Sequence, residues 1–145
     1  MKHSISTQID INAPAGVVWK VLTDLENYSN WNPFIISAKG DIAVGSKLTN
    51  RMQPPGGKAM TFKPIVTVVE ENKVFEWLGS LGLPRLFDGR HRFVLSENEN
   101  KTRLVQSEEF SGILVRVLKK SLDDQTMKGF EAMNKSLKIQ AELKK

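Results

Sequence analysis

The chain of 145 residues contains no cysteine. That excludes disulfides, thiol nucleophiles and cysteine-ligated metals. Histidine is nearly as scarce, with only His3 and His91, so a metal site would need unusual help from carboxylates. Neither a metal nor a cofactor is expected. No apolar run approaches the roughly 18 residues that cross a bilayer, so stable membrane insertion is not expected either. The opening Met1-Lys2-His3-Ser4-Ile5 passes straight into alternating apolar residues. It lacks the apolar stretch and small-residue cleavage site of a signal peptide, and the expected location is the cytoplasm. There is no Gly-x-Ser-x-Gly elbow and no phosphate-binding glycine loop. Gly56-Gly57-Lys58 lacks the upstream glycine spacing and the following Ser or Thr of such a loop, and reads as a turn.

What is present is ordinary for a globular chain: 40% hydrophobic and 26% charged residues. One domain over residues 1–145 is expected, and a chain of this size buries roughly 70% of its unfolded surface without a metal or disulfide. The formal net charge is +5, which by itself could favour nucleic acid. The positive residues are scattered among acidic ones, with Lys119-Lys120 and Lys144-Lys145 as the dense pairs. No basic run alternates with aromatics as in single-strand binders, so no nucleic-acid partner is expected.

The strongest periodic signal lies over residues 114–143. Met127, Phe130, Met133 or Asn134, Leu137 and Ala141 fall three or four apart, with Lys128, Glu131, Lys135, Lys138 and Glu142 mainly opposite. That spacing predicts a long amphipathic helix. Asp123 and Asp124 suit the start of its strongest part, because a helix N-terminus favours negative charge. Such a stripe must be covered, and the preceding chain supplies strands. Ile5, Ile9 and Ile11 share one parity and predict a half-buried strand over 3–12. Pro14 suits the start of a first short helix with Val17, Val18, Val21 and Leu22 on its apolar side. A second short helix is expected over 24–30.

Trp31-Asn32-Pro33 reads as a turn, with Asn32 pushed towards extended backbone by Pro33. Strands are then expected over 34–39, 46–52, 60–70, 74–79, 90–95 and 103–110. Gln53-Pro54-Pro55-Gly56-Gly57 marks a hairpin-type loop. The 60–70 strand alternates around Phe62, Val66 and Val68, and Pro64 suggests an edge or bulge. Short connections imply an antiparallel sheet. About seven strands wrapped on one long helix, with two short helices after the first strand, make an α+β architecture.

The run Ile9-Asp10-Ile11-Asn12-Ala13-Pro14, then Val17-Val18-Trp19, Leu22-Thr23-Asp24, Tyr28 and Trp31-Asn32-Pro33, resembles the first part of START-like (SRPBCC) superfamily proteins. These include the polyketide cyclase/dehydrase-like proteins. Trp77-Leu78-Gly79, Phe87-Asp88-Gly89, His91-Arg92-Phe93 and Glu108-Glu109-Phe110-Ser111-Gly112 look like a small bacterial branch of that superfamily. The resemblance covers essentially the whole chain. It implies a helix-grip fold, a seven-stranded antiparallel sheet curled around the C-terminal helix with an apolar cavity between them. It further implies binding of a hydrophobic small molecule such as a lipid, polyketide or aromatic. It brings no universal catalytic motif, because one fold hosts many functions.

Strand parity selects the polar candidates. If Phe93 and Leu95 face the helix, so does His91; if Leu104 and Phe110 do, so do Gln106 and Glu108. The turn over 96–101 makes the two strands antiparallel neighbours, which brings His91 near Gln106 or Glu108. These residues can satisfy one another within the core, anchor a ligand, or move protons as an acid–base pair. The remaining candidate ligand contacts are Trp31, Met52, Met60, Phe62, Trp77, Phe87, Phe93, Phe110, Phe130, Met133 and Asn134. Ligand access is expected near Trp31, residues 81–87 and residues 54–57. Two alternatives stand beside ligand binding. One is a polyketide cyclase- or hydratase-like enzyme using His91 and Glu108. The other is a protein-interaction module with a filled core and an exposed apolar patch.

Overall fold

A computed structural model describes residues 2–80 and 85–145. Strand β1 (Lys2–Ile11) leads into helix α1 (Ala15–Thr23), a 3₁₀ turn (Leu25–Asn27) and the short helix α2 (Tyr28–Trp31). Strands β2 (Ile35–Lys39), β3 (Thr49–Met52), β4 (Met60–Phe62), β5 (Ile65–Glu70), β6 (Val74–Ser80), β7 (Asp88–Asn98) and β8 (Lys101–Ser111) follow. A continuous helical run closes the chain: α3 (Val115–Ser121), a π turn (Leu122–Thr126) and α4 (Met127–Lys144). Five strands pair antiparallel in the order β1-β8-β7-β6-β5, and three in the order β2-β3-β4. The sheets are joined where the residues before β3 lie against β5. Leu48 donates to the Pro64 carbonyl and Val66 to that of Ser46, both at 2.8 Å.

The inner face follows the period of two. Ile5 and Ile11 of β1, Phe93 and Leu95 of β7, and Leu104 and Phe110 of β8 are buried against Phe130, Met133, Leu137 and Ala141 of α4. Phe130 is fully covered and meets Phe34 edge-on, with ring centroids 5.6 Å apart. Burying one such side chain contributes about 2–3 kcal/mol. Local chemistry fixes the connections. Asn32 is extended ahead of Pro33, and its Oδ1 accepts from the amides of Phe34 and Ile35 at 3.0 and 2.9 Å. Pro14 offers no side-chain cap to α1, so Glu97 of β7 accepts from the Ala15 amide instead, at 2.6 Å. Tyr28, the single tyrosine, is fully buried and donates to the Leu22 carbonyl. Burial, with a smaller contribution from Asp24, pushes its phenol pKa up.

Three sequence expectations need correction. The single strand expected over 60–70 is two, β4 and β5, which gives eight strands in two sheets among the described residues rather than seven in one. Pro64 has no amide hydrogen to continue a ladder, and the chain changes sheets there. Val68 was expected on the inner face with Val66. A register shift between Val66 and Val68 reverses the parity, so that Val69 packs on the core instead; one extra residue flips every following side chain. Asp123 and Asp124 do not begin a helix. They sit inside the π turn, where Asp123 accepts from His3 of β1 at 2.7 Å.

Among the described residues the outer face carries one buried acid. Glu76 of β6 accepts from Arg90 at 2.5 Å, Arg92 at 2.8 Å and Thr67 at 3.1 Å. Burial by itself raises the Glu76 pKa. The hydrogen bonds from Arg90, Arg92 and Thr67 outweigh it and hold the carboxyl below its ordinary value. A depressed carboxyl contributes stability above its unfolded pKa and loses it as the pH falls through the folded value. Glu76→Gln is therefore expected to cost about 1–2 kcal/mol at neutral pH, reduced by the solvent exposure of both arginines. In thermal melts the gap from the native chain should close as the pH drops below the carboxylate range. A gap that persists in acid would count against this account.

Gly129 tests the contact between helix and sheet. A Cβ there would lie 2.4 Å from Phe34 Cδ1 and 2.6 Å from Cε1. Alanine improves helix propensity by about 1 kcal/mol, whereas overpacking costs about 1–3 kcal/mol. Phe34 is buried against Phe130 and has little room to yield, so the clash wins. Denaturant unfolding of Gly129→Ala should show a net loss of about 1 kcal/mol.

Candidate functional site

Between the inner face of β6–β8, the small sheet and the π turn lies a cavity of about 200 Å³. The small sheet contributes Asn50, Met52, Met60 and Phe62, and the connections contribute Phe34, Pro54, Lys58 and Pro64. Trp77, Gly79 and Ser80 come from β6, Phe87 from the turn before β7, Gly89 from the start of β7, and Glu108 and Phe110 from β8. Leu122 and Thr126 of the π turn close the helix side. Phe87 and Phe110 stack with planes 13° apart and centroids 5.5 Å apart. Glu108 is the only acidic residue among these lining positions and Lys58, which is exposed, the only basic one.

Glu108 holds its place through two neighbours. It lies directly opposite His91 in the β7–β8 ladder, and its Oε1 is 3.3 Å from His91 Nδ1. Its Oε2 lies over Gly89, 2.1 Å from where a Cβ would stand. Any other residue at position 89 would displace the carboxylate. Neighbouring Phe110 is the ladder partner of Gly89.

Behind Glu108 a chain of hydrogen bonds crosses from sheet to helix. Asn134 Nδ2 of α4 donates to Thr7 Oγ1 at 2.9 Å, and Thr7 donates to the Gln106 carbonyl at 3.0 Å. Gln106 Nε2 donates to Asn134 Oδ1 at 2.7 Å. These directions leave Gln106 Oε1 as an acceptor, so His91 Nε2, 2.8 Å away, is the donor. The other ring nitrogen, Nδ1, has no hydrogen bond, although Glu108 is within ion-pair distance. A neutral imidazole protonated at Nε2 would point an Nδ1 lone pair at a carboxylate oxygen. His91 is itself fully buried, packed between Trp77 and Phe130 with ring centroids 4.7 and 4.8 Å away.

Of the sequence candidates, Met52, Met60, Phe62, Trp77, Phe87, Glu108 and Phe110 line the cavity. His91, Phe93, Gln106, Phe130, Met133 and Asn134 are buried behind its wall. Trp31 does not line it: it sits half-buried, edge-on to Tyr28, with its indole N–H unpartnered. Of the expected access segments, Pro54 and Phe87 reach the cavity; Leu81 and Leu83 lie outside the described residues. Sequence reasoning missed Phe34, Asn50, Lys58, Pro64, Gly79, Ser80, Gly89, Leu122 and Thr126 as lining residues. Asn50 shares the parity of Met52 and pairs with Phe62, and Gly89 shares that of His91, so alternation could have found both. The π turn that carries Leu122 and Thr126 leaves no signal in helical periodicity.

The sequence pattern of the polyketide cyclase/dehydrase and lipid transport family matches residues 2–142. No curated protein matches the chain in sequence. Among solved structures it resembles the Zhui aromatase/cyclase from Streptomyces sp. R1128, at 14% identity and a TM-score of 0.80, over 98% of this chain and 94% of that one. It also resembles a START superfamily protein from Mycobacterium smegmatis, at 20% identity and a TM-score of 0.75, over 99% of both chains. A third likeness is to BexL, a di-domain ARO/CYC from the BE-7585A biosynthetic pathway, at 15% identity and a TM-score of 0.78. There it covers 97% of this chain but spans only 50% of the di-domain. At these identities the structures establish the fold alone, a helix-grip α+β fold. By its sequence, the chain belongs to the polyketide cyclase/dehydrase and lipid transport family.

Proposed function

We propose that this protein binds a hydrophobic small molecule, of the lipid, polyketide or aromatic classes, in the cavity between the sheets and the C-terminal helix. The observation that carries the reading is a space of about 200 Å³ walled by aromatic and methionine side chains, with one carboxylate inside it. Ligand sites have this make-up, a mostly apolar lining with a few placed polar groups. The family match and the aromatase/cyclase and START likenesses support the same reading. It includes a cytoplasmic setting and no nucleic-acid partner. No helix among the described residues is long and apolar enough to cross a membrane.

Native mass spectrometry of the freshly purified protein tests it. An apolar adduct at one per chain is expected, and it should be lost in Thr126→Phe, which fills the cavity from the helix side while the fold still melts cooperatively. No adduct, together with no rise in melting temperature across lipids and aromatic compounds, would reject the reading in favour of an interaction module.

One observation favours a second, enzymatic reading, a cyclase- or hydratase-like activity. Glu108 faces the cavity, and His91 stands behind it with an unbonded Nδ1 3.3 Å away. A carboxylate so placed can take a proton from a carbon beside a carbonyl, or give one to a departing hydroxyl, with the imidazole as proton reserve. ¹⁵N spectra of His91 at neutral pH should show Nε2 protonated. Protonation at Nδ1 alone would overturn the direction of the Thr7–Asn134–Gln106 chain and with it this reading.

A further inference from the structure

We infer that the ligand is a neutral ring compound that donates a hydrogen bond, through a hydroxyl group, to Glu108. The inference deepens the binding reading and rests on it. Glu108 Oε1 is turned to His91. Oε2 occupies the space that Gly89 leaves by lacking a Cβ, and no protein donor among the described residues bonds to it. A carboxylate oxygen that faces an apolar space without a donor is costly, so the cavity selects a guest that brings one.

The rest of the lining selects shape and charge. Trp77 and the stacked Phe87 and Phe110 offer flat apolar faces suited to a ring. An anionic head group would place a second negative charge beside Glu108 where little water screens it. Lys58 is exposed and attracts an anion only at the rim. A hydroxyl-bearing ring therefore fits better than a fatty-acid-like carboxylate, and better than the same ring with its hydroxyl capped.

Calorimetric titration with 2-naphthol, 2-methoxynaphthalene and 2-naphthoate separates these chemistries on one ring system. Naphthol should bind at one per chain, the methoxy compound about tenfold to a hundredfold more weakly, and naphthoate more weakly than naphthol. In Glu108→Leu, checked for folding by its melt, the naphthol advantage should disappear, so that naphthol and methoxynaphthalene bind alike. Equal binding of the two by the native chain, or a preference for naphthoate, would overturn the donor inference and leave the binding reading standing. Binding of none of the three would remove both.

Discussion

The structure depends on how a few polar groups are satisfied inside an apolar core. Thr7, Gln106, Asn134 and His91 come from two neighbouring strands, the helix and a third strand, and they meet where the core excludes water. In such surroundings each donor must find its acceptor, and a half-satisfied network is worse than none. This requirement sets the axial position of α4 on the sheet, because only one placement brings Asn134 to both Thr7 and Gln106. It also sets the protonation pattern of His91. The order of donors runs in one direction, so the ring presents Nδ1, and not Nε2, to Glu108.

Glycine does comparable work by leaving space. At Gly129 the helix comes close enough to Phe34 for that ring to seat against Phe130. At Gly89 the space is taken by a carboxylate oxygen. The first gap tightens the core and the second places a charged group on its inner wall. A core that leaves about 200 Å³ unfilled by side chains forgoes packing worth on the order of a few kcal/mol. The fully buried residues around α1, α4 and the five-stranded sheet offset that, which fits a division into a closed half and an open half. The closed half holds Leu22, Leu104 and Leu137. The open half is roofed by the short strands β3 and β4, with Met52 and Phe62 only half-buried.

Much of this was legible in the order of residues. Alternation put His91, Gln106 and Glu108 on one face, and the turn after Leu95 made β7 and β8 neighbours, which is their arrangement in the ladder. The helical stripe from Phe130 to Ala141 is the buried side of α4. What alternation could not register was interruption. Pro64 suggested an edge or bulge in one strand and is the point where the chain changes sheets. The bulge after Val66 and the π turn at Leu122 each shift a local phase, and no residue type there demands it. Trp31 was expected at the cavity's rim because it follows the short helices, yet it does not line the cavity and packs edge-on to Tyr28, three residues earlier.

The sequence by itself determined most of the elements and their inner faces, because side-chain direction along a strand or helix repeats with a period set by the backbone; the family was legible only through the resemblance of its motifs. Only the tertiary structure decided which inward residues see the cavity and which stand behind its wall. Glu108 and His91 have the same parity and opposite places in the ladder, but one borders the space and the other is sealed from it. That difference comes from Gly89, from the roof formed by β3 and β4, and from the bonds that tie His91 back to Gln106. Those contacts join residues far apart in the chain, so no local period encodes them.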